Sequence, residues 1–396
     1  METKPPMKYD VVEFQKGDEF VTHSMVGIIK YDACLSKCTV ENIPHQLFKG
    51  DAVNLLLTTR DSKGNPTIPC QEVKVKMKML NDATWEDIDF SNNYNGTSSV
   101  QIFGNREGKL LVSTTIGSEQ IPGSPFEIAV ISGLVQTVGK QEGRLRLPWG
   151  LTVNKHGDFV TANGGANSVS IHDRDGHYKQ SFTFTGQFVK PFRPCDIAIS
   201  DDKMFMLDDN NRHVVVSEDN GKFIRCFGSV EIDCPCGIAI NPVTKHVYVS
   251  EKNKDCIRKY THSGRYINSF GRRGTKQGQF RKPFYLACNS KGVVYVADRD
   301  NDRIQVFGSM DQFLFEFSST GNSRISHPRG VAIDKNDYVY VSSEHKVVKY
   351  DTYGQFICRI DSDKDGLSYP FGVVVCNDGR IAVVENGNNC IKVFVE

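Results

Sequence analysis

Basic and aromatic residues crowd into one part of this 396-residue chain. Between Lys252 and Arg303 there are 13 Lys or Arg against 4 Asp or Glu, although the whole chain carries a formal charge of only +1. The imbalance is regional: residues 1–132 hold 13 basic and 17 acidic side chains, and residues 133–396 hold 35 and 30. Arg193, Arg272, Arg273, Lys276, Arg281, Lys282, Arg299, Arg303 and Arg329 are interleaved along the chain with Trp149, Phe284, Tyr285 and Phe371. Cations neutralise phosphates, while aromatic faces and guanidinium planes stack on unpaired bases, so this mixture suits single-stranded RNA if the fold gathers it on one face. Structural roles compete with that reading. Trp149 and Phe371 could equally plug a channel or pack between elements, and Arg303 could hold a neighbouring element through hydrogen bonds.

Catalytic and metal chemistry find less support. His213, His327 and His345 do not recur at one register, as a central three-ligand site would require. The close pairs Cys34 with Cys38 and Cys234 with Cys236 lack a second pair at zinc-ligand spacing. Asp208 and Asp298 open polar turns, where aspartate is a common turn-former. G-x-S-x-G, H-E-x-x-H and phosphate-cradling patterns are missing from the sequence, so neither catalysis, metal nor cofactor is expected. The twelve cysteines are scattered through apolar runs and read as free thiols of a reducing compartment. With no secretory signal at METKPPMKYD and no apolar run of bilayer length, a cytoplasmic location is expected. Neither membrane nor DNA is an expected partner.

The elements that must position these residues form a repeat. A marker, x-Pro-x-[Gly/Asp/Tyr], recurs at Pro148, Pro194, Pro235, Pro283, Pro328 and Pro370, at intervals of 46, 41, 48, 45 and 42. Each opens an apolar strand and is followed by a second such as FVTA, VYVS or VYVA. Four short antiparallel strands in about 45 residues is the period of a propeller blade. Six markers therefore predict a six-bladed β-propeller over 133–396. The last copy ends at its third strand, and Leu134–Val138 supplies the missing outer strand from the other end, closing the ring and covering an open edge. In antiparallel connectivity the markers and the turns between second and third strands share one face, here called the upper face. Turns such as NKHG, DKND and CNDG lie on the other.

Residues 1–23 read as a disordered lead-in, and 24–131 as short strands spaced for an all-β sandwich: Cys38–Val40, Ala52–Thr59, Glu72–Met79, Ser98–Phe103, Lys109–Thr114 and Phe126–Val130. Asp61-Ser-Lys-Gly-Asn-Pro66 and Asn95-Gly96 are the turn signals; Asn95-Gly-Thr97 also fits a glycosylation sequon, but reads as a turn. The stretches CTVENIP, GDAVNLLLTTRDSKGNP, NYNGTSSVQIF and IPGSPFEIAV resemble a filamin-type immunoglobulin repeat. That resemblance implies a spacer or a domain that captures an extended peptide along a sheet edge.

The later repeats resemble the NHL family, named for a motif whose fullest form here is Asp298-Arg-Asp-Asn-Asp-Arg-Ile304. Its Arg position is occupied in turn by Ser168, His213, Cys256, Arg303, Lys346 and Cys390. A filamin-type repeat before an NHL propeller is similar to the C-terminal half of tripartite-motif NHL proteins. The resemblance implies post-transcriptional repression as the setting for RNA binding on the upper face. The alternative it implies is the substrate-recognition part of a ubiquitin ligase whose RING lies outside this chain, with protein partners on the propeller face or the filamin-domain sheet edge.

Overall fold

The computed structural model describes residues 33–396 apart from 45, 50–51, 70, 94, 142, 187 and 319–323. The expected lead-in at 1–23 lies outside the described residues. The chain divides into two compact units, Met1–Ser132 and Gly133–Glu396.

In the first unit two sheets enclose one core. Thr39–Glu41, Ala52–Thr58, Thr97–Phe103 and Phe90–Asn92 form one, in that spatial order; Gln46–Phe48, Phe126–Ile131, Gly108–Ile116, Val73–Met79 and Glu86–Asp87 form the other, with Glu119–Gln120 paired to Gly108–Ile116. Apolar residues two apart point to the same side of a strand, so Leu55 with Leu57, Val100 with Ile102, and Ile128 with Val130 are buried while the residue between each pair is less so. The Asn95-Gly96 turn is enforced sterically. Gly96 has φ +85°, and a Cβ there would lie 2.4 Å from the Thr67 amide nitrogen. Asn95 Oδ1 accepts the Thr97 amide hydrogen at 3.0 Å, the local bond expected of an Asn-initiated turn.

Among the described residues the second unit consists of six four-stranded antiparallel sheets. Every marker proline is the first residue of an innermost strand: Pro148–Val153, Pro194–Ser200, Pro235–Ile240, Pro283–Cys288, Pro328–Ile333 and Pro370–Val375. Proline fits there because the first residue of a strand need not donate to the ladder. These six strands lie side by side in chain order, and the last returns to the first, so the sheets surround an axis as a β-propeller. The second strands, such as Phe159–Asn163 and Val294–Asp298, are buried at every residue save Lys203 at the start of Lys203–Asp208, because neighbouring sheets cover both faces. Outer strands such as Phe223–Phe227 alternate instead, with one side in water. Gly133–Val138 pairs antiparallel with Cys390–Val395, from Gly133 opposite Val395 to Val138 opposite Ile391. The sixth sheet thus takes its outer strand from the start of the unit.

The registers set the faces. Pro283 is opposite Asp298, which is opposite Arg303; Pro194, Asp208 and His213 align likewise, as do Pro235, Glu251 and Cys256. Marker prolines and the turns after the second strands therefore share one end of the propeller, the upper face.

Candidate functional site

One polar device repeats under that face. The last residue of each second strand is buried and accepts an amide hydrogen from the loop leading to the marker. Asn163 accepts Arg146 at 2.7 Å, Asp208 accepts Arg193 at 3.2 Å, and Glu251 accepts Asp233 at 3.0 Å. Asp298 accepts Arg281 at 2.7 Å, Ser343 accepts Ser326 at 2.8 Å, and Glu385 accepts Ser368. Asp208 and Asp298 are structural, as expected, yet their role extends beyond their own turns to anchoring the loops that carry Arg193 and Arg281. A second feature had no sequence signal. Leu147, Lys282, His327 and Tyr369, each immediately before a marker proline, are left-handed with φ +42° to +49°. Proline disfavours helical backbone in its predecessor, so a non-glycine residue in this region is held there by its surroundings.

Around the axis the residue after each marker proline forms an inner ring: Trp149, Cys195, Cys236, Phe284, Arg329 and Phe371. Cations and aromatics do converge here. The Arg193 guanidinium lies 4.9 Å from the Trp149 ring centre, Arg299 lies 5.2 Å from Phe284, and Arg329 lies 4.9 Å from Phe371 and 5.5 Å from Tyr369. Phe284 and Phe371 approach to 6.2 Å across the ring. Trp149, Phe284 and Phe371 are half-buried, each with a guanidinium over one face and a hydrophobic cluster beside it. They serve packing and the face at once, in contacts of about 0.5–2 kcal/mol each.

Two expected ligand contacts are corrected by burial. Arg303 is 8% exposed and its donors are consumed: Nε donates to Asp298 at 2.8 Å, Nη1 to Glu316 and the Thr275 carbonyl at 2.9 Å, and Nη2 to the carbonyls of Lys276 at 3.0 Å and Gln279 at 2.8 Å. It fastens the RRGTKQGQ loop rather than facing a ligand. Burial raises the Asp298 carboxyl above its usual range even though the Arg281 amide, Asn301 and Arg303 all favour its charged form. Tyr285 is buried, and its hydroxyl donates to the Cys195 carbonyl at 3.1 Å, so it ties the fourth sheet to the second and offers no stacking platform. Arg329 is only 7% exposed, its guanidinium lying against the rings of Phe371 and Tyr369. Phe192, two residues before Pro194, lies in the core, packed edge-on to Phe184 at 4.9 Å.

Of the cations singled out in the sequence, Arg272, Arg273, Lys276, Arg281 and Lys282 are exposed. The loop carrying the first three folds back on itself: the Phe280 amide donates to the Arg272 carbonyl at 2.9 Å, and Asn301 reaches the Gly274 carbonyl at 2.9 Å. That bond sets the loop beside the Asp298–Arg303 turn. Lys282 and Arg299 share Asp300, at 2.9 and 2.7 Å, so two cations meet one carboxylate. Arg193 has a longer contact, 3.7 Å to Asp209, and Arg212 with Lys254 engages Asp233 at 2.8 and 3.7 Å. Below the ring, Asp196 is buried; its Oδ2 accepts the Ile238 amide at 2.8 Å, and burial pushes its carboxyl up to about 7.

The second unit is a β-propeller, and its sequence carries an NHL repeat. The NHL repeat matches residues 367–394, in the sixth sheet, whereas the fullest form of the motif, Asp298–Ile304, lies in the fourth. The protein brain tumor of Drosophila melanogaster is 36% identical over 126 residues, 30% of this chain and 12% of that protein. The E3 ubiquitin-protein ligase TRIM71 of Gallus gallus is 26% identical over 191 residues, 44% of this chain and 22% of that protein. The matches thus span under a quarter of either relative. In fold, the chain is similar to a structural genomics protein of unknown function from Bacteroides thetaiotaomicron, with TM-score 0.56 and 12% identity over 92% of this chain and 99% of that one.

Proposed function

We propose that this chain is a cytoplasmic, non-catalytic recognition module in which a filamin-type domain precedes a six-bladed NHL propeller that binds RNA on its upper face. The observation that carries the reading is the exposed group Arg272, Arg273, Lys276, Arg281 and Lys282, set beside a ring of half-buried aromatics each faced by an arginine. Phosphates follow the exposed cations, and unpaired bases stack on guanidinium planes and ring edges at the axis. Post-transcriptional repression is the setting this chemistry serves.

A second reading has its own support. The chain is similar to a named ubiquitin ligase, and the outer strands expose Ile224, Tyr266, Ile267, Phe356 and Ile357, apolar side chains that a protein partner could cover. Salt dependence separates the two. Binding of a fluorescent single-stranded RNA pool should weaken with a log–log slope of about −0.7 per phosphate engaged. The variant R272E/R273E/K276E, altered only at exposed positions, should bind many-fold more weakly and with a shallower slope. Equal affinity and equal slope in the two proteins would remove RNA binding from this face.

A further inference from the structure

Arg329 is the one member of the inner ring that is both charged and enclosed. Its Nη1 is buried and makes no hydrogen bond, and no carboxylate of the described residues lies within ion-pair distance. Its contacts are the faces of Phe371 and Tyr369, at 4.9 and 5.5 Å. Glu344, whose charge reaches it, is engaged by His327 at 3.6 Å. Burial, and after it the Arg299 guanidinium, push the Arg329 side chain below its ordinary range. Arg299 has an unsatisfied nitrogen of its own, the enclosed Nε, while its Nη1 holds Asp300. The contrast with Arg303, equally buried but satisfied by two carboxylates and three carbonyls, is informative. A guanidinium presents five donors, and burying one without partners is costly unless something supplies acceptors. Tyr369, exposed and held at φ +49°, stands at the mouth beside it.

We propose that Arg329, with Arg299 beside it, seats a phosphate-type oxyanion at the axis of the upper face, the anion accepting the hydrogen bonds these two guanidinium groups do not make. The inference rests on the RNA reading only for the source of the anion. It is either a phosphodiester of RNA dipping into the axis or a free phosphate, and the chemistry at Arg329 is the same.

The test follows thermal unfolding of the whole chain in sodium phosphate, with sodium chloride holding ionic strength constant, for the natural protein and Arg329→Met. Phosphate at ten times its Kd should raise the natural protein's Tm by about 3–6 °C in a saturable way. Arg329→Met should show only the weak, non-saturating rise common to excluded salts, and in phosphate-free buffer should be at least as stable as the natural protein, because an apolar isostere removes an unpaired charge. Parallel responses in the two proteins, or no saturable response in the natural one, overturn the proposal. Should Arg329→Met fail to fold, the 31P line width of inorganic phosphate titrated with the natural protein and Arg299→Gln decides: no broadening by the natural protein, or equal broadening by both, refutes the seat. Adding single-stranded RNA then identifies the source. Displacement, seen as line narrowing, assigns the seat to a phosphodiester, and RNA binding without displacement assigns it to free phosphate. RNA bound with no phosphate response sinks this inference alone, whereas a saturable phosphate response with no RNA bound sinks the RNA reading alone.

Discussion

Replacing Arg303 with Ala distinguishes a structural arginine from a ligand. The substitution removes five hydrogen bonds, two of them to carboxylates, and leaves Asp298 fully enclosed with the Arg281 amide, Asn301 and Gln305 as its remaining donors. Breaking one side of a buried pair costs about 3–5 kcal/mol, and Glu316, partly exposed, adds little because water can replace its partner. The three loop carbonyls at Thr275, Lys276 and Gln279 lose their donor as well, so the RRGTKQGQ loop should loosen. In a unit of this size that loss corresponds to a fall in Tm of about 6–20 °C. Urea unfolding followed by tyrosine and tryptophan fluorescence measures it, alongside RNA affinity at 10 °C, where the variant remains folded. Affinity should fall modestly, since Arg272, Arg273 and Lys276 keep their charge, and the salt slope should be unchanged because Arg303 touches no phosphate. Stability within about 0.5 kcal/mol of the natural protein, combined with a large loss of affinity and a shallower slope, would refute the assignment and return Arg303 to the interface.

Asp196 gives a pH test. Its folded carboxyl titrates near 7 and its unfolded one near the usual 3.8, so the folded state holds the extra proton and stability from this group is lost as pH rises from about 4 to 7. Asp196→Asn, which keeps an acceptor for the Ile238 amide, should gain stability on the natural protein through that window, by on the order of 4 kcal/mol at most; a difference independent of pH would contradict the burial account. Tyr285→Phe should cost about 1 kcal/mol in chemical unfolding by deleting its bond to the Cys195 carbonyl, and leave RNA affinity untouched; an affinity loss without destabilisation would put Tyr285 back at the surface. A chain starting at Gly139 should lose the outer strand paired with Cys390–Val395 and expose that edge, giving aggregation by size-exclusion chromatography where the whole second unit stays dispersed.

Periodicity made the architecture readable. Prolines at near-constant intervals mark strand starts because proline lacks a donor, and a stray strand at 134–138 had to pair somewhere because the last copy was short of one. Which side chains face solvent was less readable. Arg303 and Arg329 carry the same charge in polar local sequence, yet one is saturated and the other has no hydrogen-bond partner, and both differ from Arg272 and Arg281 in burial. Burial there depends on what adjacent sheets bring, and the acceptors of Arg303 lie 13 to 28 residues away except for Asp298. Tyr285 escaped for a related reason. Other copies place glycine or aspartate at this position, and room for the ring comes from Gly237, where an added Cβ would lie 3.0 Å from the Tyr285 Cδ1. The repeated polar residue closing each second strand had a readable signal, since Asn163, Asp208, Glu251, Asp298, Ser343 and Glu385 occupy one register. Their shared role emerges only when the loop amides are seen to converge on them.

The central claim is that RNA lies on the upper face of the propeller. Photocrosslinking of the whole chain to a 4-thiouridine-substituted single-stranded pool, followed by mass spectrometry of the crosslinked peptides, locates it directly. The account predicts crosslinks within Arg272–Arg281, at the Phe284 and Arg299 segments and at Tyr369–Phe371, with the turns at 154–157, 334–337 and 376–379 on the opposite face unlabelled. Labelling concentrated on those lower turns or on the outer strands, or no crosslinking at low salt, would contradict it.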